Sequence, residues 1–127
     1  MGIKKVGIVL AHALAIWAFC GMTMGILLTV TTPINAAAIH DVAALIFAVF
    51  VARFYFKKFA YTTPLQTAVL FALIIAAMDV FVVSILIMNN FDMFKGTAGL
   101  IGTWAFFVLM PLAVWLTGVY TRRTALP

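Results

Sequence analysis

Asp79 is the residue most able to carry chemistry, because its carboxyl group lies inside an apolar run that is long enough to cross a bilayer. A charged Asp at the centre of a membrane helix costs at least about 2.5–3.5 kcal/mol. Such a residue is therefore expected to be paired, to be protonated or to have a function. Burial favours the neutral acid, and His40 is a suitable proton partner near physiological pH. Asp79 is therefore either a titrating transport site or a hydrogen-bonded link between the second and third helices.

Other polar side chains fall at a similar depth, as judged from the helical rise of ~1.5 Å per residue. We predict one transport or polar layer in the outer half of the bilayer, formed by Asp79, His40, Asp41, Thr23 and Thr103. Asp41 stands nearer the membrane surface and near the positive N-terminal end of its helix. A structural role is therefore the simpler interpretation for Asp41.

Small residues recur at helical spacing beside both acids. Steps of three and four from Asp41 meet Ala37, Ala44, Ala48 and Ala52, and steps from Asp79 meet Ala76, Ala72 and Ala68. The first helix has its own stripe of Ala11, Ala15, Ala18, Gly21 and Gly25. Small residues let helices approach closely in lipid, so we expect both acids to face protein and the stripes to mark packing faces.

His12 and Gln66 form a second polar group, predicted for the inner half of the bilayer. A single His on an apolar helix is more often a packing residue than a ligand. The two histidines, His12 and His40, fall in opposite halves, which disfavours one haem held by both within a chain. We predict no metal ligands, since a site of His40, Asp41 and Asp79 lacks a diagnostic spacing, and the cofactor content stays open.

Nucleophilic catalysis has little support in the sequence. Ser84 and Cys20 have no base and orienting acid arranged near them, and no glycine-rich phosphate loop is present. We assign no catalytic residue. The single cysteine also excludes a disulfide within the chain.

The elements that must position these groups follow from composition. The chain has 127 residues, of which 67% are hydrophobic and 9% charged, against about 25% charged in ordinary soluble domains. Apolar runs cover residues 6–29, 34–56, 65–88 and 99–120, and each exceeds the ~20 residues that a bilayer requires. Because the connections are short, we predict an all-α, integral membrane, four-helix up-and-down transmembrane bundle that forms a single domain over residues 1–127.

Two similar phrases mark helix starts. Thr31 and Thr32 precede Pro33, and Thr62 and Thr63 precede Pro64. Thr as the capping residue with Pro at the first helical position is typical of a helix N-terminus, and Gln66 completes a capping box with Thr63.

The charges indicate orientation. The net charge is +5, and every Lys and Arg except Lys95 falls on one side of the predicted bundle, Arg122 and Arg123 included. This excess predicts a multi-pass protein of the cell (inner) membrane with both termini in the cytoplasm. Nothing in the sequence is typical of a module that binds nucleic acid, so we expect no nucleic-acid partner.

Three functions are compatible with these features. The first is transport or permeation of protons or a small ion or solute through the Asp and His layer. The second is a non-catalytic accessory or assembly subunit of a larger membrane complex, in which the same residues hold helices together. The third is a membrane redox or metal-binding protein. The expected partners are the lipid bilayer and either further copies of the chain or partner membrane subunits.

Overall fold

The chain is all-helical throughout the part that the structure describes. The computed structural model describes the backbone of residues 2–125 and the side chains of residues 2–122. Helix 1 is Ile3–Val30 and helix 2 is Pro33–Lys58. Only Thr31 and Thr32 separate them, so the two helices run in opposite directions where they pack together.

Helices 3 and 4 each contain a segment of π-helix. Helix 3 is α-helical over Pro64–Met78 and π-helical over Asp79–Ile87. Helix 4 begins as Gly96–Gly99, is π-helical over Leu100–Trp104, and continues as Ala105–Ala125. A π-helix forms i→i+5 hydrogen bonds and is rare in proteins, where it occurs frequently at functional sites.

Four helices of the described chain are long and apolar enough to span a membrane, which confirms the predicted fold class at that level. The helices begin and end within a few residues of the four predicted runs. Large apolar side chains such as Phe50, Leu86 and Val108 are exposed on the outside of the bundle. Such a surface suits lipid and would be unfavourable in water.

The predicted helix caps are confirmed. The side chain of Thr32 accepts a hydrogen bond from the Asn35 amide at 3.3 Å. At the start of helix 3, the Thr63 side chain accepts from the Gln66 amide at 3.2 Å, and the Gln66 side chain accepts from the Thr63 amide at 3.1 Å. These reciprocal bonds satisfy amides that have no partner within the helix.

The helices pack in an order that differs from their order along the chain. Helix 1 packs against helices 2 and 3, and helix 4 also packs against helices 2 and 3. Helices 2 and 3 therefore lie across a diagonal of the bundle, although they follow one another in sequence. The predicted link between helices 2 and 3 through Asp79 does not form, because those helices have too little contact for it.

Alanines make the close approaches in the core. Ala44, Ala48 and Ala52 of helix 2 are fully buried, as the stripe beside Asp41 predicts. Larger side chains, among them Phe71 of helix 3 and Met110 of helix 4, fill the space between the helices. The stripe of helix 1 behaves differently, because its members are all exposed on the single chain: Ala11, Ala15, Ala18, Gly21 and Gly25.

The connection between helices 3 and 4 is folded onto the start of helix 4. Asn89 ends helix 3 with a positive φ of 58°, a conformation that Asn tolerates better than most residues. Thr103 donates a hydrogen bond of 2.7 Å to the Met93 carbonyl, and the Trp104 indole donates one of 2.9 Å to the Phe94 carbonyl. The aromatic ring of Phe94 lies 5.6 Å from that of Trp104.

Candidate functional site

Asp79 is held by helix 1. The indole Nε1 of Trp17 donates a hydrogen bond of 3.1 Å to Oδ1 of Asp79, and both side chains are partly buried. Sequence reasoning proposed His40 as the partner and missed Trp17. The signal was present, because a Trp in the middle of an apolar helix needs an acceptor for its N–H, and Trp17 lies about as far into helix 1 as Asp79 does into helix 3.

Asp79 is also the residue at which helix 3 changes from α-helix to π-helix. The wider turn leaves backbone groups bonded five residues apart, as between the Met88 amide and the Val83 carbonyl at 2.8 Å. A π-helix rotates less per residue than an α-helix, so residues five apart come closer to one face. The change in register therefore brings Ser84 nearer to the face of helix 3 that carries Asp79.

Ser84 is the second group that sequence reasoning did not place in the site. Its side chain is fully buried, and its Oγ has no hydrogen-bond partner among the described residues. A buried hydroxyl without a partner costs roughly 1–3 kcal/mol relative to one that is satisfied. The Ser84 hydroxyl is therefore a buried polar group whose cost no contact among the described residues offsets.

His40 and Asp41 form the other buried polar pair. Nδ1 of His40 and Oδ1 of Asp41 share a hydrogen bond of 3.1 Å. The two residues are only 4% and 8% exposed, so the pair is removed from solvent on the single chain. The ring of Phe106 on helix 4 lies 5.3 Å from the His40 ring and packs against it. The partner of Asp41 is thus an imidazole and not Lys or Arg.

The predicted polar layer is only partly joined by direct contacts. Thr23 donates to the carbonyl of Phe19 in its own helix at 2.7 Å, and Thr103 bonds to the loop before helix 4. Within residues 2–122, His40 and Asp41 are the only two members of that layer that bond to each other.

His12 and Gln66, predicted as an inner-half polar group, are separate. Nδ1 of His12 donates a hydrogen bond of 2.7 Å to the Ile8 carbonyl one turn earlier in helix 1, because a carbonyl oxygen can only accept. The imidazole packs among aromatic rings, including Phe54 at 5.9 Å and Tyr55 at 5.3 Å. Gln66 is exposed and serves as the capping residue described above.

A hydroxyl cluster near the connection of helices 2 and 3 was also missed. The Tyr55 hydroxyl bonds to the Thr62 hydroxyl at 2.8 Å, and Thr62 bonds to Thr67. All three side chains are buried. Thr67 also donates to the Thr63 carbonyl at 2.8 Å, so the cluster fixes the connection against helix 3. Its members satisfy one another, which is consistent with a structural role.

Metal ligands do not cluster in the part of the chain that is described. No group of three or more His, Cys, Asp or Glu side chains lies close enough there to hold an ion. The predicted candidate set of His40, Asp41 and Asp79 divides into the pair on helix 2 and the single acid facing helix 1.

Two carboxyl groups, the partly buried one of Asp79 and the buried one of Asp41, are thus the main candidates for chemistry in this site. Asp79 has an indole donor and Asp41 has an imidazole. Such groups can take up and release protons, and their residual polar atoms can bind water or a small solute. No known protein family, curated protein or solved structure matches the chain.

Proposed function

We propose that the chain transports or conducts protons, or a small ion or solute, through the membrane by way of Asp79, His40 and Asp41. The observation that carries the proposal is that Asp79 and Asp41 lie in bilayer-length apolar helices and that, within residues 2–122, neither pairs with Lys or Arg. An acid without a permanent counter-charge is free to exist in both protonation states. Acids in such positions are functional candidates by default.

The geometry at Asp79 suits proton exchange. Trp17 donates to Oδ1, so Oδ2 remains available to hold a proton or to meet water. An indole N–H cannot accept a proton from the acid, and it stays a donor in both protonation states of Asp79. Trp17 therefore positions the carboxyl without competing for its proton.

The pair on helix 2 supplies a second exchange group. The Nδ1 atom of His40 is used by Asp41, which leaves Nε2 as the ring nitrogen able to exchange a proton. Imidazole is the side chain that ordinarily titrates nearest to neutral pH. Thr23 and Thr103 donate their own protons to carbonyls, so each hydroxyl oxygen remains able to accept a hydrogen bond.

Flux measurements in proteoliposomes test the proposal. We expect Asp79→Asn to abolish pH-driven flux, because the amide keeps an acceptor for Trp17 but cannot exchange a proton. Asp92→Asn is the matched control, since Asp92 lies exposed in the connection before helix 4, where its partner is Lys95 at 3.9 Å. Flux that is the same in wild type and Asp79→Asn would contradict the proposal. Circular dichroism of both variants checks that they insert and fold.

We further propose that the basic end of the bundle faces the cytoplasm of the cell (inner) membrane. The bias in Lys and Arg supports this orientation. Of the basic residues, Arg123 lies outside the described side chains. A reporter fused to the C-terminus, active only on one side of the membrane, tests the orientation. A reporter signal from the outer side would contradict it.

A second function, assembly into a larger membrane complex or a homo-oligomer, is supported by the glycine end of the exposed stripe of helix 1, at Gly21 and Gly25. Gly21 and Gly25 have no atom within 4 Å of the position that a Cβ would occupy. Small residues exposed along a membrane helix are typical of a face that packs against another helix. Purification in mild detergent from the native host, followed by identification of the co-purifying proteins, distinguishes assembly from transport by the chain alone.

A redox or metal-binding function remains a separate proposal with a direct test. The donor chemistry at His40 and Asp41 suits several divalent ions, although two ligands make an incomplete site. An optical spectrum and elemental analysis of purified protein decide the matter. A stoichiometric metal or chromophore would favour this function over proton transport.

A further inference from the structure

An open groove runs between helices 1 and 2 on the outside of the bundle. Its volume is about 310 Å³, which is near the lower end of the ~300–1,000 Å³ that ligand pockets usually have. The residues that line it are Ala11, His12, Ala15, Phe50, Val51 and Phe54. The lining is almost entirely apolar, so the groove suits a hydrocarbon chain.

The shape of the groove follows from its residues. Ala11 and Ala15 lie one helical turn apart and leave the surface of helix 1 low at this point, while Phe50 and Phe54 project from the surface of helix 2. His12 contributes its ring, which stacks against Phe54. Its Nδ1 proton is already bonded to the Ile8 carbonyl. The groove is thus an open, shallow depression, with Ala11 and Ala15 on one side and Phe50 and Phe54 on the other.

Positive charge lies at one end of this groove. The Nζ of Lys58 lies 5.4 Å from the centre of the Phe54 ring, above a side chain that lines the groove. Lys4 lies two helical turns before Ala11 on helix 1 and is exposed. Asp41, Asp79 and Asp92 are the only acids in the sequence, and none of them belongs to this end of the bundle.

We propose that the groove binds an anionic phospholipid, with one acyl chain between helices 1 and 2 and the phosphate beside Lys58. The basic end supplies the charge that an anionic headgroup requires, and Phe54, over which Lys58 lies, lines the apolar groove. Basic pockets between membrane helices bind anionic headgroups by this combination. A second copy in the same orientation fits less well, because it would bring its own basic end beside this one.

Native mass spectrometry of the delipidated full chain tests the site. The probes are phosphatidylglycerol and phosphatidylcholine with identical acyl chains. We expect phosphatidylglycerol to be retained more strongly, and Lys58→Gln to weaken its retention about fivefold, the effect of one Lys near an anionic surface. Lys95→Gln, at an exposed position at the other end of the bundle, is the matched control and is expected to leave retention unchanged.

A second variant tests the groove itself. Ala15→Leu adds a larger side chain to the lining of the groove, so it is expected to reduce retention of both lipids. Because Ala15 is exposed, the substitution should not disturb the core. If Ala15→Leu does not fold, Ala11→Leu is measured in its place. Equal retention of the two lipids, or retention unaffected by Lys58→Gln and Ala15→Leu, would overturn the proposal. So would a dimer that Ala15→Leu dissociates while lipid retention is unchanged.

Discussion

The indole Nε1 of Trp17 donates a hydrogen bond of 3.1 Å to Oδ1 of Asp79, and this bond joins helices 1 and 3. It explains how an acid can reside in helix 3 without a charged partner. It also separates two roles of Asp79, because an amide can replace the acid as an acceptor but not as a group that exchanges protons. Stability and flux should therefore respond differently to the same substitution.

We expect Trp17→Phe to lower the free energy of unfolding by about 1 kcal/mol, because it removes the donor and leaves the carboxyl of Asp79 unsatisfied. Asp79→Asn should leave it nearly unchanged, while Asp79→Leu should cost about as much as Trp17→Phe. Unfolding in mixed micelles, followed by circular dichroism, measures these differences. Combining Trp17→Phe with Asp79→Leu should cost less than the sum, and additive costs would contradict the bond.

Ser84→Ala should leave the free energy of unfolding unchanged or raise it by up to about 1 kcal/mol, because the buried hydroxyl has no partner among the described residues. Thr103→Val is the contrasting variant, since it removes the bond to the Met93 carbonyl and should lower stability by about 1 kcal/mol. The same unfolding measurement compares them. A loss in Ser84→Ala as large as that in Thr103→Val would show that the hydroxyl is satisfied in the membrane.

Local chemistry made much of the fold predictable. The capping box of Thr63 and Gln66 depends on residues three apart, and the buried stripe of Ala44 and Ala48 depends on the helical period beside Asp41. Bilayer thickness determines how long each membrane helix must be, and the number of apolar runs of that length predicts the number of helices. These features need no knowledge of how one helix lies against another.

The site was less predictable because it depends on which helices are neighbours. Short connections indicate that successive helices run in opposite directions, but they do not indicate which helices are neighbours in the bundle. The sequence therefore predicts that His40 faces Asp79, whereas helices 2 and 3 lie across a diagonal. The π-helix at Asp79 results from backbone register, which no residue pattern in the sequence marks. For the same reason the orientation of Ser84 could not be inferred.

Gly118→Ala should lower the free energy of unfolding by about 1–3 kcal/mol, because an added Cβ would lie 2.7 Å from Phe56 and 2.8 Å from Pro64. Helix 4 approaches helices 2 and 3 closely at this point. Gly21→Ala is the matched control, since nothing lies within 4 Å of its Cβ position. It should be neutral or stabilising by up to about 1 kcal/mol through helix propensity. Equal effects of the two variants would show that the helices are not in close contact at Gly118.

Ala60 ends helix 2 in a left-handed conformation, with a φ of 47° and its amide bonded to the Tyr55 carbonyl at 3.0 Å. An L-residue other than glycine pays about 1–2 kcal/mol for this conformation, and glycine avoids most of it. We therefore expect Ala60→Gly to raise the free energy of unfolding by about 0.5–1 kcal/mol. This is the gain in the folded state minus the cost of the greater conformational freedom that glycine has in the unfolded chain.

Ala38→Gly is the control for that prediction, because Ala38 is also exposed but lies inside helix 2 with ordinary helical geometry. There the same substitution should lower stability by about 1 kcal/mol. Thermal unfolding in one detergent compares the two variants with the wild type. A change of the same sign in both would mean that Ala60 does not adopt the left-handed conformation in the folded protein, since only that conformation reverses the effect of glycine.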